Sequence, residues 1–153
     1  MQGYGTAVPV GLQHCGLIVA DLERSRAFYG GALGLEEVPR PHNFAFEGAW
    51  FQVGDDQIHL LVEGETTGRA GAYDPGRSVA VGLATHVALE VEDLAEAIGR
   101  LDDHGIVLVG GPMPRGDGYD QLFVLDPDGH VIELFEHTGA DQSDAPLRAP
   151  IRS

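Results

Sequence analysis

The chain has a single cysteine, Cys15, in 153 residues. No intrachain disulfide can form, and a metal site built from cysteine alone is excluded. Basic residues are also scarce: nine Lys and Arg stand against 24 Asp and Glu, a formal net charge of −15. Sequence-independent binding to nucleic-acid phosphates or to an anionic membrane surface rests on clustered Lys and Arg, so this balance argues against both. No apolar run approaches the roughly 18 residues a membrane span requires. Residues 1–9 lack the basic start and apolar stretch of a signal peptide. The expectation is a soluble, cytoplasmic protein whose partners include neither nucleic acid nor membrane. What is present is ordinary globular composition, 43% hydrophobic and 22% charged. The length suits one domain of about 100–200 residues, with a core of its own.

The chain repeats itself once. Gln13-His14-Cys15-Gly16-Leu17-Ile18-Val19-Ala20-Asp21-Leu22 aligns with Thr85-His86-Val87-Ala88-Leu89-Glu90-Val91-Glu92-Asp93-Leu94 at an offset of 72. Gln57-Ile58-His59-Leu60-Leu61 aligns with Val131-Ile132-Glu133-Leu134-Phe135 at an offset of 74. Two matches in one order at nearly one offset mark an internal duplication.

Each half reads alike. Residues 12–19 and 84–91 are short, apolar and alternating, the pattern of strands. Asp21 and Asp93 then stand where helix N-caps belong. One helix is expected over about 22–33, stopping at Gly34. The other carries Leu94, Ala97, Ile98 and Leu101 on one stripe and ends at His104-Gly105. Three strands follow in each half. They are expected near 35–39, 46–53 and 56–63, with a turn at Gly54-Asp55-Asp56, and near 106–110, 119–125 and 130–136. The last pair is joined by Asp126-Pro127-Asp128-Gly129, where Pro presets φ and Gly takes the positive φ. The reading is an α+β fold of two tandem βαβββ modules, 11–63 and 84–137. Residues 64–83, with Asp74-Pro75-Gly76, connect them, and 138–153 form a loose tail.

Strand alternation sorts the side chains. Cys15, Leu17 and Val19, with Val87, Leu89 and Val91, can face helices, as can Ile58, Leu60, Ile132 and Leu134. His14, His59, His86 and Glu133 then share the opposite face at repeat-related positions. Under a pseudo-twofold they converge. Three imidazoles and a carboxylate suit one divalent first-row ion: Zn, Ni, Fe or Co. His42, His104, His130 and His137 have no repeat partner of ligand type and read as structural.

Two stretches are specific beyond composition. One is His14-Cys15-Gly16-Leu17-Ile18-Val19-Ala20-Asp21-Leu22 with Ser25, Phe28-Tyr29 and Leu33-Gly34-Leu35. The other is Phe123-Val124-Leu125-Asp126-Pro127-Asp128-Gly129 with Ile132-Glu133-Leu134. Over about 11–137 the chain resembles the vicinal oxygen chelate superfamily, which includes glyoxalase I, methylmalonyl-CoA epimerase, extradiol dioxygenases and fosfomycin-resistance proteins. The resemblance implies a curved mixed sheet forming a cup around one metal, with helices outside and ligands from the first and last strands of each module. Those positions hold His14, His59, His86 and Glu133, and Trp50, Gln52, Tyr119 and Phe123, with Phe44, Phe46 and Gln121 near them, can line the implied cup as a substrate pocket. It also implies a homodimer.

The superfamily chelates a substrate through adjacent oxygens, and the metal acts as a Lewis acid. Extradiol dioxygenases and fosfomycin-resistance enzymes use a His, His, Glu triad and leave the His59 position free. Bacterial glyoxalase I and the epimerase fill that position with Glu and Gln. His59 therefore resembles the isomerase and lyase pattern in ligand number and departs from it in ligand type. The expectation is a glyoxalase-like lyase or isomerase acting on a small oxygenated molecule, with Glu133 as catalytic base. Glu47 lies near where the epimerase carries a base and reads as a strand-edge acid. The alternatives are an Fe(II) extradiol-type dioxygenase and a metal-free drug-binding resistance protein of the same fold.

Overall fold

The computed structural model describes residues 7–64, 68–71 and 80–139. Asp74-Pro75-Gly76 and all but the start of the expected tail lie outside the described residues. The first half runs β1 (His14–Val19), α1 (Leu22–Arg26), a π-helical turn (Ala27–Ala32), β2 (Glu36–Val38), β3 (Gly48–Val53) and β4 (Asp56–Val62). After a 3-10 turn at Val81–Leu83, the second half runs β5 (His86–Glu90), α2 (Leu94–Asp103), β6 (Gly110–Pro114), β7 (Tyr119–Leu125) and β8 (Val131–His137). The order is βαβββ twice. The strands form two four-stranded mixed sheets, β1-β4-β3-β2 and β5-β8-β7-β6. In each, the first and last strands pair in parallel and the rest antiparallel. This is the α+β architecture read from the repeat, although the sheets stay separate and do not close into one continuous cup.

Local chemistry accounts for most boundaries. Asp21 accepts from Arg24 N–H at 3.0 Å, and Asp93 accepts from Glu96 N–H at 2.8 Å. Each caps a first helical turn that has no carbonyl of its own to use. α2 ends as a Schellman motif: Gly105, at φ +70°, donates to Asp102 O, and Ile106 donates to Leu101 O. The β3–β4 turn is Gly54-Asp55, with Gly54 at φ +56°.

Two elements differ from the sequence reading. The first helix is α-helical only to Arg26, and beyond it Leu33 N–H reaches Phe28 O in a wider π turn. Gly30 and Gly31 contribute the weakest helix propensity short of proline, so the regular spiral yields there. The strand expected near 106–110 pairs instead over Gly110–Pro114. The apolar alternation of Ile106 and Leu108 comes from an extended approach that packs against the core, ahead of the paired segment. Its register on β7 then shifts between Gly110 and Met113.

The core lies under the sheets. Val19, Ile58, Leu60, Leu89, Ile132 and Leu134 pack there with Phe28, Tyr29 and Leu101. A polar lock fastens the modules. The turn Asp126-Pro127-Asp128-Gly129 docks on the first module, where Tyr29 O–H donates to Asp126 Oδ2 at 2.8 Å and Ala20 N–H to Asp128 Oδ1 at 3.1 Å. Asp126 Oδ1 accepts from the N–H groups of Asp128 and His130. Burial first, and Asp126 second, push the Tyr29 hydroxyl far above its ordinary range, so it stays a donor. His130 Nε2 is held by Ile18 O at 2.7 Å.

Candidate metal centre

The two modules place their chemistry by one rule. In the parallel pair β1–β4, Gly16 is opposite His59. In β5–β8, Ala88 is opposite Glu133. In both, the first residue of the leading strand, His14 or His86, lies diagonally next to the polar residue of the last strand. The residue between them is small, Gly16 or Ala88. The antiparallel neighbour repeats the pattern: Trp50 is opposite His59 and Phe123 is opposite Glu133.

The second pair is the more informative. His86 Nδ1 lies 2.7 Å from the Ala84 carbonyl. A carbonyl only accepts, so Nδ1 carries the hydrogen and Nε2 of the neutral ring carries a lone pair. That Nε2 lies 3.2 Å from Glu133 Oε2. A lone pair facing a carboxylate is repulsive unless a cation, a proton or a metal ion, joins them. Glu133 is 4% exposed. Its other oxygen, Oε1, accepts from Arg115 Nη1 at 3.1 Å. Arg115 is itself braced by Asp117, at 2.9 and 3.0 Å, and lies 4.6 Å from the Tyr119 ring centre and 4.8 Å from that of Phe135. The same pairing holds Asp117 below the usual carboxylate range. The carboxylate thus has a counter-charge behind it and one oxygen aimed at a ring nitrogen. An imidazole anchored through its far N–H, beside an oriented carboxylate, is a donor pair suited to a divalent ion.

The first pair is built by stacking. The His59 ring lies between Trp50, at 3.9 Å and 2°, and His14, at 4.1 Å and 15°. His14 Nδ1 is bonded to Gln13 Oε1, which leaves Nε2 for a ligand. Burial, and then His14, lower the His59 pKa, so the ring stays neutral.

The four residues form two pairs. Among the described residues, no three His, Cys, Asp or Glu side chains are grouped to hold one ion. A cleft of about 670 Å³ between the modules is bordered by His14, Cys15 and Gln57 on one side and His86, Glu90 and Phe135 on the other. His59 and Glu133 do not line it.

Of the expected pocket residues, Trp50 stacks on His59, and Phe123 meets the His86 ring edge-on at 5.9 Å. Gln52 accepts from Gln57, and Tyr119 lies under Arg115. Phe44 and Phe46 extend the wall from Trp50. The sequence reading missed Arg115 as the partner of Glu133, and Gln57 as the partner of His59. Gln57 carried a signal, standing two residues before His59 on the same strand face. Arg115 carried none, because its contact is made across strands.

The model of the Glyoxalase/Bleomycin resistance protein/Dioxygenase superfamily matches residues 11–134. The chain belongs to this superfamily. Within it, the chain is 33% identical over 129 residues to the lactoylglutathione lyase of Salmonella typhimurium, covering 82% of this chain and 91% of that one. It is 33% identical over 138 residues to the lactoylglutathione lyase of Neisseria meningitidis serogroup A, covering 88% and 96%. Among solved structures, a glyoxalase/dioxygenase from Nostoc punctiforme superposes with a TM-score of 0.67 at 25% identity, covering 83% of this chain and 90% of that one. Membership in the superfamily accounts for the two modules and leaves the reaction open. Among the described residues, no helix is long and apolar enough to cross a membrane.

Proposed function

We propose that this chain is a metal-dependent, glyoxalase-like lyase or isomerase acting on a small substrate held through its oxygens. A divalent ion, Zn, Ni, Fe or Co, draws its ligands from among His14, His59, His86 and Glu133. The observation that carries this reading is the 3.2 Å approach of His86 Nε2 to Glu133 Oε2, with His86 Nδ1 committed to Ala84. The names of the relatives support a lyase of the glyoxalase type. Bound, the ion supplies Lewis acidity at a substrate oxygen.

The chain's own residues do the rest. Glu133 is the catalytic base: a buried carboxylate that takes a proton from the carbon beside the chelated oxygens and returns it to the neighbouring one. Arg115 holds the far oxygen of Glu133, so the carboxylate keeps one orientation. Trp50 and Phe123 wall the two sides.

The two half-sites lie on separate sheets, and we assign the complete site to a homodimer. In it, His14 and His59 of one copy face His86 and Glu133 of the other. A symmetric dimer builds two such sites from one self-complementary contact.

The test is turnover of the hemithioacetal formed from methylglyoxal and a thiol, with glutathione and 2-mercaptoethanol compared. The thioester product is followed by its ultraviolet absorption. Thioester formation that stops with a chelator and returns with Ni, Zn or Co is the expected result. Absence of thioester in metal-loaded protein, with oxygen consumed on catechols after Fe(II) addition, would move the assignment to the dioxygenases.

A further inference from the structure

The hydrogen-bond network around His59 has a fixed polarity. It starts at the Gly54 carbonyl, which can only accept. Gln52 Nε2 donates to it at 2.7 Å. The Gln52 oxygen then accepts from Gln57 Nε2 at 3.0 Å. That leaves the Gln57 oxygen to accept from His59 Nε2 at 2.8 Å. Each amide has its nitrogen used on one side and its oxygen on the other, so one carbonyl dictates the direction of the whole chain. The strand register builds it, since Gln52 and Gln57 are direct cross-strand partners. His59 therefore carries its hydrogen on Nε2.

His14 and His86 are fixed the other way. Their Nδ1 atoms are bonded to Gln13 Oε1 and Ala84 O, and His86 Nε2 faces Glu133 Oε2. The two repeat-related histidines at the starts of β1 and β5 both commit Nδ1 to a neighbour, whereas His59 commits Nε2. The ring planes agree with this division. His14 and His59 are stacked 15° from parallel with centres 4.1 Å apart. Ring nitrogens direct their lone pairs in the ring plane, so stacked rings do not aim at a common point. Two imidazole nitrogens on one ion, each about 2.0–2.1 Å from it, must converge.

We infer that His59 serves the proposed metal site as a positioning residue: a flat plate, clamped by the Gln52–Gln57 relay and Trp50, that orients the His14 ring while His14, His86 and Glu133 hold the ion. This rests on the metal reading above. It leaves two His and one carboxylate on the ion, the ligand number of the extradiol and fosfomycin-resistance pattern, with more of its coordination sphere open to a substrate that binds through two oxygens, so that thioester formation and not ligand number separates the lyase from the dioxygenase.

The decisive comparison is His59→Phe against His59→Ala, with Co2+ alone as the probe and affinity read from its visible absorption. Phenylalanine keeps a flat ring between Trp50 and His14 and removes both nitrogens. His59→Phe is expected to bind Co2+ within about threefold of the unsubstituted protein. His59→Ala is expected to bind about 10–100-fold more weakly, the usual loss when a group supporting a ligand is removed. Equal weakening in both variants, to the level of His14→Ala, overturns the inference and makes His59 a ligand.

Imidazole nitrogen NMR on the metal-free protein is the second readout. It is expected to show the Nε2–H form for His59 and the Nδ1–H form for His14 and His86, with the His59 preference lost in Gln57→Leu. An Nδ1–H form for His59 also overturns the inference. Equal Co2+ binding by the unsubstituted protein and His86→Ala overturns the metal reading itself, and the inference with it.

Discussion

His86→Ala protein is expected to emerge from purification with most of its divalent metal gone, whereas His42→Ala keeps the content of the unsubstituted chain. The Ala84 carbonyl takes the Nδ1 hydrogen and points Nε2 at Glu133. Alanine there removes the nitrogen and the anchored ring together. Removing a supporting group typically costs 10–100-fold in metal affinity, so loss of a ligand should exceed about 100-fold. His42 lies exposed in the segment before β3 and has no repeat partner. Elemental mass spectrometry on the three proteins decides the matter. Equal metal in His86→Ala and His42→Ala would remove His86 from the site.

The second large effect concerns where the site is assembled. If His14 and His59 of one copy face His86 and Glu133 of the other, His14→Ala and His86→Ala homodimers are both inactive, each with two damaged sites. A mixed dimer differs: one site carries both substitutions and the other carries neither. Random co-assembly of equal amounts makes about half the dimers mixed, so roughly a quarter of the unsubstituted rate returns. A site built within one chain cannot be restored this way, because every chain still carries its own defect. The readout is hemithioacetal turnover by co-expressed, differently tagged chains. No recovery in the isolated mixed dimer would place all four residues in one chain's site.

How much of this was legible in the sequence depends on the range of each interaction. The repeat joining His14 to His86 and His59 to Glu133 was visible because strand alternation and turn chemistry are local. They fix which face a side chain takes before any tertiary contact forms. The caps Asp21 and Asp93 and the stop at Gly105 were legible for the same reason. The π turn was not, since Gly30 and Gly31 weaken a helix without saying what replaces it. β6 was misplaced because Ile106 and Leu108 alternate like a strand while packing without a partner strand. The partnership of Arg115 with Glu133 depends on how the β6–β7 turn lies against β8, and nothing in the spacing announces it. The relay from Gly54 through Gln52 and Gln57 to His59 depends on a register that periodicity alone leaves unassigned.

The central claim, that a divalent ion on these residues drives the reaction, is tested most directly by titrating metal-free protein with Ni2+ or Co2+ while following hemithioacetal turnover. The account predicts a rate that rises with added ion and breaks at about one equivalent per chain, as expected for a single catalytic site. In His86→Ala the same titration should stay flat. A rate already present in the metal-free protein and indifferent to added ion would contradict it.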